Sequence, residues 1–159
     1  MISKPVFFSE NVESIKLKQL KKYKAVLIDV DNTLTKHHER KLTKEKKYWI
    51  ESLVNSGKKV ALASNTSKKR AKILSEKFGM DVFVAYKPFP LAIKKWIKKN
   101  GYKKSEVVMI GDQIFTDHLA AIFANIDSVL VKPITNKDFI VTRLISRRLE
   151  KIIYNLWSK

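Results

Sequence analysis

Residues 24–34 read KAVLIDVDNTL, an apolar run that ends abruptly in acids and a turn. The part Lys24–Val30 has the length and unbroken apolarity of a strand buried on both faces. Its end differs from its body: Asp29 and Asp31 are followed by Asn32 and Thr33, residue types that favour a tight loop. A strand buried on both faces requires helices over it, so this stretch predicts a layered fold with acids at one sheet edge.

Outward from it the alternation repeats. Thr43 can cap a helix through Trp49, Ile50 and Leu53, with Gly57 as its stop. Lys59–Ala63 (KVALA) reads as a second strand, and Thr66 or Ser67 opens a helix through Ile73, Leu74 and Phe78 that Gly79 ends. Asp81–Ala85 (DVFVA) is a third strand. Pro90 suits the first turn of the next helix, whose apolar face holds Ile93, Trp96 and Ile97 and which stops at Gly101. Glu106–Ile110 (EVVMI), a helix over Phe115–Asn125 and Ser128–Val131 (SVLV) complete the pattern. The class is α/β: one Rossmann-like domain over residues 1–159 with a parallel five-stranded sheet flanked by helices. Residues 1–23 are expected to be an irregular lead-in with a short helix packing on the core. Residues 138–158 (DFIVTRLISRRLEKIIYNLWS) are expected to form a long amphipathic helix.

Composition narrows the function classes. The chain has 159 residues, one domain's worth, and no apolar run near the ~20 residues that span a bilayer. Its N-terminus meets charges too early for a secretory signal. Without cysteine there are no disulfides or thiolate metal sites, which suits a reducing cytoplasm. The formal charge of +18 fits an anionic partner, or a coding bias toward lysine, since 28 Lys stand against 5 Arg. Base-reading proteins rely on the arginine fork, so a specific nucleic-acid reader is disfavoured.

In an open parallel sheet, ligands bind at the carboxyl ends of the strands. The residues there are Asp29, Asp31 and Thr33, then Ser64 and Asn65, then Lys87, then Asp112 and Asp117. Of 15 acidic residues in the chain, four gather on this edge. Crowded carboxylates repel and persist where a cation neutralises them; an all-oxygen set shared with phosphate favours Mg²⁺. A carboxylate at Asp29 can attack phosphorus, and Asp31 can protonate the leaving oxygen and later activate water. Lys87 and the Ser64 hydroxyl suit the equatorial phosphoryl oxygens.

Four motifs in this order, DxDxT at 29–33, Ser64, Lys87-Pro88 and GDxxxTD at 111–117, resemble the haloacid dehalogenase (HAD) superfamily of phosphohydrolases. With SNT at 64–66, VKPI at 131–134 and TRLISRRLE at 142–150, the chain is similar to the YqeG-type subgroup of capless (subclass III) HAD phosphatases. That subgroup is related to the mitochondrial enzyme that dephosphorylates phosphatidylglycerophosphate (PGP). The resemblance implies Asp29 as nucleophile and magnesium ligand, and Asp31 as acid/base and ligand through its backbone carbonyl. It implies Asp112 as a further ligand and Asp117 as a residue that orients the site or bonds a metal-bound water. Thr33 would brace the loop, while Ser64, Asn65 and Lys87 would hold the phosphoryl group. Only 31 positions separate Asp31 from Leu62, too few for a folded lid, so the site is expected to be open to large substrates.

The bland alternatives differ by residue. His37, His38 and His118 read as surface residues rather than ligands, and Trp49 and Trp96 as core. The 138–158 helix either packs on the sheet or sets its basic side on anionic lipid. The first functional reading is a Mg²⁺-dependent phosphomonoesterase acting on PGP at the membrane surface. Its setting is cytoplasmic, with peripheral contact at the inner face of the membrane and an anionic phospholipid as partner. The second keeps the chemistry with a soluble phosphate ester, and the third is a basic RNA- or ribosome-binding module with vestigial catalysis. Nothing in the sequence sets an oligomeric state.

Overall fold

The computed structural model describes residues 3–37 and 39–135. Its strands are β1 (Phe7–Ser9), β2 (Ala25–Ile28), β3 (Lys59–Ser64), β4 (Asp81–Val84), β5 (Val107–Gly111) and β6 (Asp127–Val131). They make one sheet in the order β1-β6-β5-β2-β3-β4, with every pairing parallel. Four α-helices, α1 (Lys44–Asn55), α2 (Lys68–Phe78), α3 (Leu91–Lys99) and α4 (Leu119–Ala124), cover the sheet.

The local reasons are those of the sequence. Thr43 caps α1 by accepting the N–H of Lys46, and Ser67 caps α2 by accepting the N–H of Arg70. Gly79 ends α2 in the left-handed conformation that a residue without Cβ adopts freely. Pro90 sits one position before the first residue of α3.

Alternation along the central strands separates two apolar layers. Val26 and Ile28 of β2 join Val60, Leu62, Val108 and Ile110 under Trp49, Ile50 and Leu53 of α1 and Leu74 of α2. Ala25 and Leu27 face the other way, with Met109, against Ile93, Trp96 and Ile97 of α3 and the alanines of α4. Both tryptophans are core, and each indole N–H is satisfied: Trp49 donates to the carbonyl of Ile15 at 2.9 Å, Trp96 to Asp81 Oδ2 at 2.8 Å.

The order and extent of the elements depart from the sequence reading in two places. The sheet has six strands, not five, because part of the lead-in forms an edge strand, β1, paired with β6. Three half-exposed residues carry too short a pattern to register as a strand. The helix expected from Phe115 starts instead with a wide π-helical turn, Ile114–His118, and becomes regular from Leu119. The lead-in also holds a 3-10 turn, Leu17–Leu20, whose Leu20 is buried. The amphipathic segment 138–158 and His38 lie outside the described residues.

Candidate active site

The strand order makes the site. β2 lies between β5 and β3, with Ile28 beside both Ile110 and Leu62, and β3 carries β4 on its other side. The four carboxyl ends that hold the acids, Ser64 and Lys87 are therefore consecutive neighbours. Asp29 extends β2 by one residue, its N–H donating to the carbonyl of Ile110 at 2.9 Å. Asp112 directly follows β5, and Ser64 is the buried last residue of β3.

Lys87 is the hub. Its ammonium, buried, donates to Asp29 Oδ1 and, at 2.6 Å, to Asp117 Oδ1. Asn65 fixes the backbone of Lys87 from both sides: its Oδ1 accepts the Lys87 N–H at 2.6 Å and its Nδ2 donates to the Lys87 carbonyl at 2.7 Å. Asn65 thus spends both ends of its amide on positioning Lys87, a task the sequence reading did not give it.

Asp29, Asp112 and Asp117 each offer an oxygen within 4.8 Å of the others. Burial is the largest influence on Asp29; with repulsion from Asp117 it outweighs the pull of Lys87 and pushes the carboxyl to about 7. Asp112 is pushed well above the usual carboxylate range by burial and by the charges of Asp117 and Asp29. For Lys87, burial opposes the charge, but Asp117 and Asp29 more than offset it and the pKa is raised. One ammonium cannot neutralise three carboxylates, two buried and one half-buried, and the set is all oxygen. The residues present fit a hard divalent cation.

The loop after β2 is braced. Asn32 adopts a left-handed conformation, and its N–H donates to the carbonyl of Thr35 at 2.6 Å. Thr33 donates its hydroxyl to Asp112 Oδ1 at 3.0 Å, tying this loop to β5. The 131–134 stretch buttresses it from outside: Ile134 N–H donates to the Asn32 carbonyl at 2.9 Å, and the neighbouring Thr135 hydroxyl to Asn32 Oδ1. Asp117 is held by the wide turn, where its Oδ2 accepts the N–H of Gln113 at 3.1 Å.

Two participants escaped the sequence reading. Arg70, in the first turn of α2, grips Asp31 with both guanidinium nitrogens, at 2.6 and 2.7 Å. The signal was present: one of five arginines, placed just after the carboxyl end of β3. Gly111 is the other, because a Cβ there would fall on the Asp117 carboxylate. The carboxylate of Asp31 is therefore engaged with Arg70 rather than with the trio. His37 approaches Asp31 at 3.8 Å. His118 is a correction: expected at the surface, it is buried, with Nδ1 at 2.6 Å from the Ser128 hydroxyl and Nε2 at 2.7 Å from the Ser3 carbonyl. It ties the lead-in to β6.

Comparison with known proteins agrees with this arrangement. The sequence pattern of the family described as mitochondrial PGP phosphatase matches residues 5–135. Probable phosphatase YqeG of Bacillus subtilis is 32% identical over 152 residues, covering 94% of this chain and 88% of its own. Among solved structures, the cobalt-bound deoxy-D-mannose-octulosonate 8-phosphate phosphatase of Haemophilus influenzae has a TM-score of 0.53 at 18% identity, over 72% of this chain and 81% of that one. The corresponding enzyme of Moraxella catarrhalis, solved with magnesium, phosphate and sugar acid, gives 0.50 at 18% identity over 73% and 80%. These structural likenesses carry the fold alone.

Proposed function

The chain belongs to the mitochondrial PGP phosphatase family and is a HAD-type phosphatase; from that premise we propose that it hydrolyses phosphatidylglycerophosphate to phosphatidylglycerol at a membrane surface, through a phosphoryl group carried on Asp29. The observation that carries the chemistry is the shared ammonium of Lys87, which orients the Asp29 carboxylate beside two further acids.

In the first half-reaction an Asp29 oxygen attacks phosphorus and the bond from phosphorus to the ester oxygen breaks. Asp31 delivers a proton to that oxygen, so the lipid alcohol leaves neutral. In the second, Asp31, now a carboxylate, takes a proton from water as the water attacks the aspartyl-phosphate; inorganic phosphate leaves and Asp29 is restored. Lys87 and Ser64 supply the positive charge and hydrogen bond for the phosphoryl oxygens. Asn65 acts through Lys87, and Thr33 through Asp112. Arg70, bound to the Asp31 carboxylate before substrate arrives, turns to the incoming phosphate, and the freed Asp31 takes up from the phosphomonoester or from solvent the proton that it then delivers.

Asp29, Asp112 and Asp117 would hold Mg²⁺, together with the backbone carbonyl of Asp31. The cation supplies charge neutralisation for the phosphoryl group beside these acids. Relatives by fold were solved with cobalt and with magnesium, which supports a divalent ion as cofactor.

The lipid assignment draws on the family description and on access. Among the described residues no domain is inserted in the links that follow β2, β3 and β4, which supports access by a large substrate. No described helix is long and apolar enough to cross a membrane. The test is phosphate release from PGP in mixed micelles with Mg²⁺, beside a panel of soluble esters and an Asp29→Asn control. Fast Asp29-dependent release from the lipid supports the reading. Release confined to soluble esters keeps the phosphatase and removes the lipid.

A further inference from the structure

Lys87 is buried, yet the residues around it are unusually exposed for their kind. Tyr86, Phe89 and Leu91 are 61%, 69% and 78% exposed, three large apolar side chains within six residues. The other exposed large hydrophobics are spread through the lead-in, α1 and α4. Scattered apolar residues on a surface need no explanation, but a cluster at the rim of a site does.

The cluster is held out by its backbone. Tyr86 sits in the left-handed region, φ 52°, uncommon for an aromatic residue. Phe89 N–H closes a turn on the Tyr86 carbonyl at 3.0 Å, and Asn65 pins Lys87 between them. The side chains at either end of this turn therefore stay in solvent while the lysine between them points inward. Prolines at 88 and 90 reduce the freedom that could fold them back.

Its neighbourhood is cationic. Lys94 and Lys95 are exposed in the first turns of α3, and Lys68 and Lys69 in the first turn of α2, which starts on the same sheet edge. Apolar side chains flanked by lysine at one edge are the composition of a surface that enters the headgroup region of an anionic bilayer. A protein partner is the weaker fit. The cationic flank of this loop complements an anionic headgroup layer, and Phe89 and Tyr86 flank in sequence the lysine that faces the acids.

We propose that the loop Tyr86–Leu91 is the membrane-docking surface of this phosphatase: Phe89 and Leu91 insert among lipid headgroups, adjacent lysines bind anionic lipid, and the active site is thereby set at the depth of the phosphate. This rests on the lipid reading of the site given above.

The experiment compares the full chain with the double variant Phe89→Ser/Leu91→Ser. Sedimentation with vesicles of phosphatidylcholine containing phosphatidylglycerol is measured beside hydrolysis of PGP in those vesicles and of p-nitrophenyl phosphate in solution. The variant is expected to partition at least about tenfold more weakly and to lose lipid hydrolysis in proportion, while its rate on p-nitrophenyl phosphate is unchanged. Retained partition and lipid hydrolysis in the variant would overturn the docking loop and leave the lipid reading standing. A native chain that hydrolyses only the soluble ester, with no vesicle binding, would remove both. Self-association of the native chain that the variant abolishes, without vesicle binding, would make the patch an interface between copies and overturn the docking role.

Discussion

The backbone of Gly111 and the carboxylate of Asp117 share a space that a single methyl group would fill: a Cβ on Gly111 would lie 2.2 Å from Asp117 Cγ. Asp117 in turn holds the ammonium of Lys87, which holds Asp29. Gly111→Ala must therefore displace Asp117 and disturb the whole chain of contacts. The expected cost is about 1–3 kcal/mol in denaturant unfolding, as for other overpacked interiors, with phosphatase activity reduced at least about tenfold. A stable and fully active Gly111→Ala protein would show that Asp117 is free to move without consequence.

Arg70 holds Asp31 through two bonds, and the mechanism asks it to exchange that partner for the substrate phosphate. Arg70→Met keeps most of the aliphatic bulk and removes the fork. Loss of one charge-assisted pairing of about 1.5–3 kcal/mol predicts a fall in kcat/KM of about 10- to 150-fold, carried mainly by KM. Arg70→Lys should recover little, since a point charge does not replace a bidentate grip. Should kcat fall alone with KM unmoved, Arg70 serves Asp31 and not the substrate.

The carboxylate trio gives a prediction that needs no turnover. Mg²⁺ binding to the folded chain should raise its thermal midpoint, because a ligand for the native state stabilises by mass action. Asp112→Asn, which removes one charge of the trio, should abolish or greatly reduce that rise. An equal rise in Asp29→Asn, Asp112→Asn and the native chain would place the cation elsewhere. Chelation should silence the native enzyme and added Mg²⁺ restore it.

His118 links acidity to stability away from the chemistry. Its buried ring donates from Nε2 to the Ser3 carbonyl and accepts at Nδ1 from the Ser128 hydroxyl, an arrangement that suits the neutral form. Burial holds it below its ordinary value of 6.5. Above that value both folded and unfolded chains carry it neutral and the full stability is present. As pH falls below it, the unfolded chain takes up the proton first and stability is lost. Urea midpoints measured from about pH 7.5 down to about pH 5 should fall less steeply in His118→Gln than in the native chain. Parallel curves would remove His118 from the account.

Much of this was legible in the sequence because the signals were local. KAVLIDV is a buried strand on composition alone, Thr43 and Ser67 advertise helix starts, and the strand ends collect Asp29, Ser64, Lys87 and Asp112 once the sheet is parallel. What stayed hidden depended on distance in space. The pairing of Phe7–Ser9 with β6 joins segments about 120 residues apart and leaves little periodic trace. Arg70 stands on a lysine-rich helix, and its reach is to Asp31, 39 positions away. The burial of His118 follows from a lead-in segment that crosses over it, which no pattern around residue 118 encodes. Asn65 stands beside Ser64 in sequence, but its bonds run to a loop 22 residues later.

The central claim is that phosphate travels on Asp29. With PGP carrying a radioactive phosphomonoester, brief incubation with the Mg²⁺-loaded enzyme followed by acid quench should leave label on the native chain. That label should be released by hydroxylamine, as an acyl phosphate is, and should be missing from Asp29→Asn. Label that persists in Asp29→Asn, or steady hydrolysis by the native enzyme with no acid-stable label at any quench time, would contradict the account.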